Sequence, residues 1–192
     1  MKMTTGIIII VSALLILFIF NSCKGKKEEN QTEKVKETNL AENPYFNLRD
    51  QAINVTADAL NLKLENENEI YGVVMDWNMG DAIVTVVSFK TGDASVYMST
   101  GQAMIGGYSH DSVINAAKGF VSEAKNYLNK ATKTENTEPT KGNNVGFYFL
   151  TKSGKYYIEE DFKNIEDNSS EFLDFFEVGN KVITEYRLIS ER

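Results

Sequence analysis

Cysteine is all but missing from this chain. There is one, Cys23, in 192 residues, so no disulfide can close within a single copy. It stands ahead of the stretch with globular composition, which leaves that stretch without a thiol nucleophile or a thiolate zinc site. Histidine is equally scarce. His110 is alone, and every site built on two imidazoles is excluded. The two prolines, Pro44 and Pro139, read as punctuation. Positive charge is in deficit as well. From Pro44 onward, 14 basic residues face 22 acidic ones, a balance of −8. Nucleic-acid binders need a basic stripe to neutralise phosphates. None is present, so nucleic acid is excluded as a partner, and broad attraction to anionic lipid is unsupported. The chain has no dinucleotide-binding glycine fingerprint, P-loop or nucleophile elbow, and no cofactor or metal is expected.

A long apolar run occurs in one place. Residues 7–20 are apolar apart from Ser12, with Lys2 ahead of them, the layout of an export signal. The stretch Phe20-Asn21-Ser22-Cys23 that follows resembles the lipobox of bacterial type II lipoproteins. Ser22 is the small residue such cleavage needs, while Phe20 and Asn21 depart from the usual Leu and Ala or Ser. A transmembrane anchor, the alternative, needs about 20 apolar residues, and this run is shorter. The resemblance implies that residues 1–22 are a removed signal peptide and that Cys23 is the acylated first residue, holding the protein on a membrane. Lys24 in place of Asp implies release from the inner membrane, which places the protein in the cell envelope at the outer membrane. Lys26-Lys27-Glu28-Glu29 resembles the charged tags that carry some lipoproteins to the cell surface, so periplasmic and surface-facing display both stay open. Residues 24–43 hold only Val35, Leu40 and Ala41 as apolar side chains. Such a segment cannot bury enough surface to offset its ordering entropy, and a flexible tether is expected from 23 to 43. Residues 44–192 are expected to form a single globular α+β domain.

Within that domain, periodicity predicts a helix over residues 48–62, capped by Asn47, with Ile53, Ala57, Leu60 and Leu64 inward. Strands are predicted over 70–77, 83–89 and 94–99, with turns at Asn78-Met79-Gly80-Asp81 and Lys90-Thr91-Gly92-Asp93. In the second strand Ile83, Val87 and Phe89 point one way and Val84 and Val86 the other. A strand apolar on both sides is covered on both sides, by helices or by a partner such as a second copy of the chain. Residues 111–130 carry the clearest helical stripe, Val113, Ala117, Phe120, Val121, Ala124 and Leu128. Residues 132–143 read as a mobile loop. A second hairpin follows over 145–151 and 155–160, and Asn168 with Glu171 reads as a capping box for a last helix. Residues 181–189 fit a helix or a strand. The expected fold is a five-stranded antiparallel sheet with three helices, in the order α-βββ-α-ββ-α. Profilin-like and Roadblock-like folds are similar in content, an analogy that does not extend to function. Tyr71-Gly72-Val73-Val74-Met75-Asp76, Thr91-Gly92-Asp93-Ala94-Ser95-Val96-Tyr97 and Ser99-Thr100-Gly101 resemble an uncharacterised family of small bacterial proteins over most of residues 70–125. That resemblance brings no activity with it.

Four features could carry chemistry. Gly101, Gly106 and Gly107 precede the start of a helix, where backbone can approach an anion; a tightly packed turn is the plain alternative. His110 and Asp111 stand at that helix start, as a neutral base and its neighbour or simply as cap residues. Asp76 lies in an apolar strand and must be paired, protonated or at an edge. Residues 159–177 hold eight acids against Lys163. Their spacing does not match an EF-hand loop, and a solvated face or a cationic partner is expected instead. The sequence thus points to a membrane-anchored envelope lipoprotein with a non-catalytic domain that binds a protein or a small ligand. The alternative is a sensor or enzyme pocket at the glycine loop, using Asp76, His110 and Asp111.

Overall fold

The computed structural model describes residues 43–191; the expected signal segment, Cys23 and the expected tether up to residue 42 lie outside them. Asn43–Arg192 form one compact unit. Helix α1 (Pro44–Asn54) starts earlier than the apolar spacing predicts. Its cap is Asn43, whose Oδ1 accepts the Tyr45 N–H at 3.0 Å, in place of Asn47. Pro44 at the first helical position supplies a helical φ and lacks only a donor that would be unpaired there anyway. The helix stops at Val55, which is extended. The apolar spacing through Ala57, Leu60 and Leu64 does mark residues packed inward, but as a turn and an extended segment. Asn61, with φ of 55°, breaks the helical path.

The sheet has seven strands where five were expected. Strands β1 (Ile70–Asn78), β2 (Ile83–Phe89) and β3 (Ala94–Met98) form the predicted meander. A two-residue β4 (Ala103–Met104) follows it, and β5 (Thr132–Thr134) comes out of the stretch read as a loop. The hairpin of β6 (Asn144–Thr151) and β7 (Gly154–Asp161) completes the set. Spatial order is β4-β3-β2-β1-β6-β7-β5, antiparallel throughout. The two outermost strands are the shortest, which limits the unpaired backbone offered at each edge.

Among the described residues there are four α-helices where three were expected. After α1 come α2 (Asp111–Glu123), a short α3 (Phe162–Glu166) and α4 (Leu173–Ser190). The ambiguous residues 181–189 are helical. The predicted capping box is absent: Asn168 sits at φ of 55° between α3 and α4, and Ser170 Oγ accepts the Phe172 N–H at 3.0 Å.

Helices α2 and α4 cover one face of the sheet. Met75, Val86, Val96 and Phe147 meet Val113, Phe120, Phe175 and Val182 there. Phe175 is the hub, with ring centroids 4.6–4.8 Å from Tyr127, Phe120 and Phe147. Helix α1 and the segment after it cover the other face, where Tyr45 and Ile53 meet Val74, Val87, Tyr148 and Leu150. The double-sided apolar strands are therefore accounted for by the chain's own elements.

Candidate functional site

Asp76 projects onto the α1 face and is wholly buried. It is not at a water-facing edge. Arg49, itself 4 % exposed, donates Nε to both carboxylate oxygens at 3.0 and 3.1 Å and Nη2 to Oδ2 at 2.5 Å. Thr85, directly opposite on β2, donates its hydroxyl at 2.6 Å and exchanges a 2.9 Å bond with the Tyr45 hydroxyl. Arg49 Nη1 donates to the Thr137 carbonyl at 2.5 Å, and its guanidinium lies over the Tyr148 ring. Burial alone would lower the Arg49 pKa, but the hydrogen bonds and charge of Asp76 outweigh it and hold the guanidinium above its ordinary value. Burial, then the nearby Asp76 charge, pushes the Tyr45 phenol up to about 12. Every strong donor here has its acceptor. A network of this kind fastens α1 and the 135–140 segment to the sheet.

Of the three loop glycines, Gly107 is the tightly packed one. Gly101 and Gly106 have φ of 100° and 88°, which side chains resist. A Cβ on Gly107 would lie 2.5 Å from the Tyr186 hydroxyl and from Val113. That contact lets the Gly107 N–H donate to Tyr186 Oη at 2.9 Å while Tyr186 donates to the Ala94 carbonyl at 2.6 Å. His110 is the N-terminal boundary of α2 and makes no side-chain cap bond; it and Asp111 are exposed. Gly107 thus packs on the α2/α4 face, whereas Asp76 lies on the α1 face. The sheet stands between them, and the structure does not bring Asp76 and the glycine loop into one site.

The acidic stretch is used locally. Asp161 Oδ1 caps α3 through the Lys163 N–H at 2.9 Å. Glu171 pairs with Lys130 at 2.7 Å. Glu159 accepts from Thr140 and Tyr157 at 2.5 Å each and from Asn144 at 2.8 Å. Burial would raise the Glu159 pKa, but these three donors prevail and hold it below the ordinary value. Among the described residues, no group of three or more His, Cys, Asp or Glu side chains is placed to hold a metal ion.

One cleft with the dimensions of a ligand pocket lies elsewhere. A cleft of about 530 Å³ opens between α2 and the 66–70 segment that leads into β1. Sites for small molecules run to about 300–1,000 Å³. Ile70, Val121 and Leu128 form its apolar floor, and Lys90, Lys118 and Lys125 stand around it. Lys90 pairs with Glu69, whose carboxyl that hydrogen bond lowers below its ordinary pKa. Lys118 and Lys125 make no ion pair among the described residues. The 66–69 wall is pinned from several sides. The Ser153 N–H donates to the Glu67 carbonyl at 2.8 Å, Lys152 pairs with Glu67 at 2.7 Å, and the Glu65 N–H donates to Glu69 Oε2 at 2.5 Å.

Sequence reasoning passed over these lysines because each is an ordinary exposed residue on its own. The available signal was spacing: Lys118 and Lys125 are seven apart in the segment with the clearest helical periodicity, so they share a side. Arg49 was legible in the same way. It falls with Tyr45, Ala52 and Ile53 on one helical face, a charged residue on a buried stripe that demands a buried acid. Comparison with protein-family models, with curated proteins and with solved structures finds no match to this chain.

Proposed function

We propose that this chain is a lipid-anchored protein of a bacterial cell envelope, held by Cys23 at the outer membrane, whose body binds a small ligand and performs no chemistry on it. The observation that carries the reading is the preformed cleft between α2 and the 66–70 segment, of ligand size and with a pinned wall. Two further points support it. Two of the candidates for chemistry are otherwise engaged, the Asp76 carboxylate by Arg49 and the Gly107 N–H by Tyr186. The N-terminal apolar run ends at Phe20, and Asn21 and the small Ser22 lead from it to Cys23.

Two measurements on protein from its own cells test the two halves. Cys23→Ser is expected to move the protein from the membrane to the soluble fraction and to abolish incorporation of labelled palmitate. A variant that stays on the membrane removes the anchor from the proposal. For binding, native mass spectrometry of gently purified protein is expected to show a small-molecule adduct. Ser122→Trp, which places an indole in the cleft, is expected to remove it. An adduct that survives the filled cleft, or its absence from the wild type, counts against the cleft.

A further inference from the structure

The polar groups left over in the cleft are nearly all donors. The side-chain Oδ1 of Asn66 accepts the Asn68 N–H at 3.1 Å, and the side-chain Oδ1 of Asn68 accepts from the Ser153 hydroxyl at 2.8 Å. The Glu69 carboxylate is occupied by Lys90 and by the Glu65 N–H. What remains for a ligand is the side-chain NH2 of Asn66 and of Asn68, the ammonium groups of Lys118 and Lys125, and the Ser122 hydroxyl, all of them lining the cleft. With Lys90 and Glu69 cancelling, the cleft has a charge of +2 inside a body whose balance is −8. Lys118 and Lys125 are about two helical turns apart, on the order of 10 Å, with Val121 between them. Bare surface lysines hold a naked anion weakly, because both partners stay hydrated. An anion that also covers Ile70, Val121 and Leu128 gains the burial of its apolar part.

From this donor excess over an apolar floor we propose, resting on the binding reading above, that the cleft takes an amphiphilic anion: one carboxylate or phosphate head carried on an aliphatic body. Because the 66–69 wall is already pinned, little ordering is needed on binding.

The test titrates residues 24–192, which carry the whole compact unit, with three probes: decanoate, its uncharged counterpart decanol, and inorganic phosphate. Calorimetry and the amide shifts of Glu69, Val121 and Ser122 read the result. Decanoate is expected to saturate the site at least tenfold more tightly than either other probe. The double variant Lys118→Gln with Lys125→Gln is expected to weaken decanoate at least tenfold with an unchanged thermal midpoint. Decanol binding as tightly as decanoate, or a double variant that binds like wild type, overturns the anionic head. Phosphate binding as tightly as decanoate overturns the aliphatic body. Either way the cleft stands as a binding site. If no probe binds, the ligand class is wrong, and the adduct test with Ser122→Trp separately decides whether the cleft binds anything.

Discussion

Asp76→Ala removes the carboxylate that Arg49 is buried against. The guanidinium would keep the Thr137 carbonyl as its acceptor but lose its counter-charge in a site closed to water. Breaking a buried pair from one side costs about 3–5 kcal/mol, and urea unfolding should show a loss of that order. Replacing both members by apolar residues, Arg49→Met with Asp76→Leu, should cost far less, because no charge is left stranded. A single variant no worse than the double would show that the pair does not hold α1 down. Half of this was legible in the sequence. A carboxylate inside an apolar strand announces that it needs a partner, but the partner is 27 residues away, and chain proximity carries no information about such pairings. Glu159 offers a second check. Its carboxyl is held below the ordinary value by Thr140, Tyr157 and Asn144, so the folded state binds the proton less readily than the unfolded one. The sign is then fixed: the contribution is complete above the ordinary glutamate pKa of about 4.3 and is lost as pH falls through the lower folded value. Glu159→Gln should therefore make stability less pH-dependent between roughly pH 5 and 3, read from denaturation midpoints against pH. An unchanged acid slope would show that the three donors do not favour the charged form.

At the level of elements, two helical glycines should respond to the same substitution with opposite signs. Alanine in place of a helical glycine gains about 0.5–1 kcal/mol from reduced backbone freedom in the unfolded chain. Gly119, on α2, has open space where a Cβ would go, and Gly119→Ala should be stabilising by that amount. Gly179, on α4, has Met75 Sδ and the Phe120 ring at 2.9 Å from the same position. Overpacking there costs about 1–3 kcal/mol, which exceeds the gain, so Gly179→Ala should lower the thermal midpoint. Equal shifts in both variants would mean that α4 does not approach the sheet this closely. These helices also show why some elements were readable and others not. The α2 stripe is long and strongly periodic, so it was located from spacing alone. In α4 the face through Phe176, Gly179, Val182 and Tyr186 is helical, but alternate residues from Val182 to Leu188 also satisfy a strand, and only packing against α2 decides. Strands of two and three residues, as at β4 and β5, are too short to show any alternation. The lysine cleft left no trace beyond the spacing of Lys118 and Lys125, because its walls come from segments about fifty residues apart.

For the whole molecule, both cores among the described residues are built from side chains at Tyr45 and beyond, and Asn43 ties the start of that unit down twice. Its side-chain oxygen caps α1, and its Nδ2 donates to the Ser99 carbonyl at 2.7 Å, at the end of the β3 region. Residues 24–42 bring almost no apolar surface of their own, so they have little with which to stabilise the fold. A chain of residues 43–192 and one of residues 24–192 should therefore unfold at the same urea midpoint and with the same slope, since the slope follows the surface exposed on unfolding. Asn43→Ala within either chain should cost about 1 kcal/mol through the lost cap, more if the Ser99 carbonyl is left unpaired. A steeper slope or a higher midpoint for the longer chain would show the segment after Cys23 packing on the body. It would then act as part of the fold and not as the spacer that the lipid-anchored reading requires.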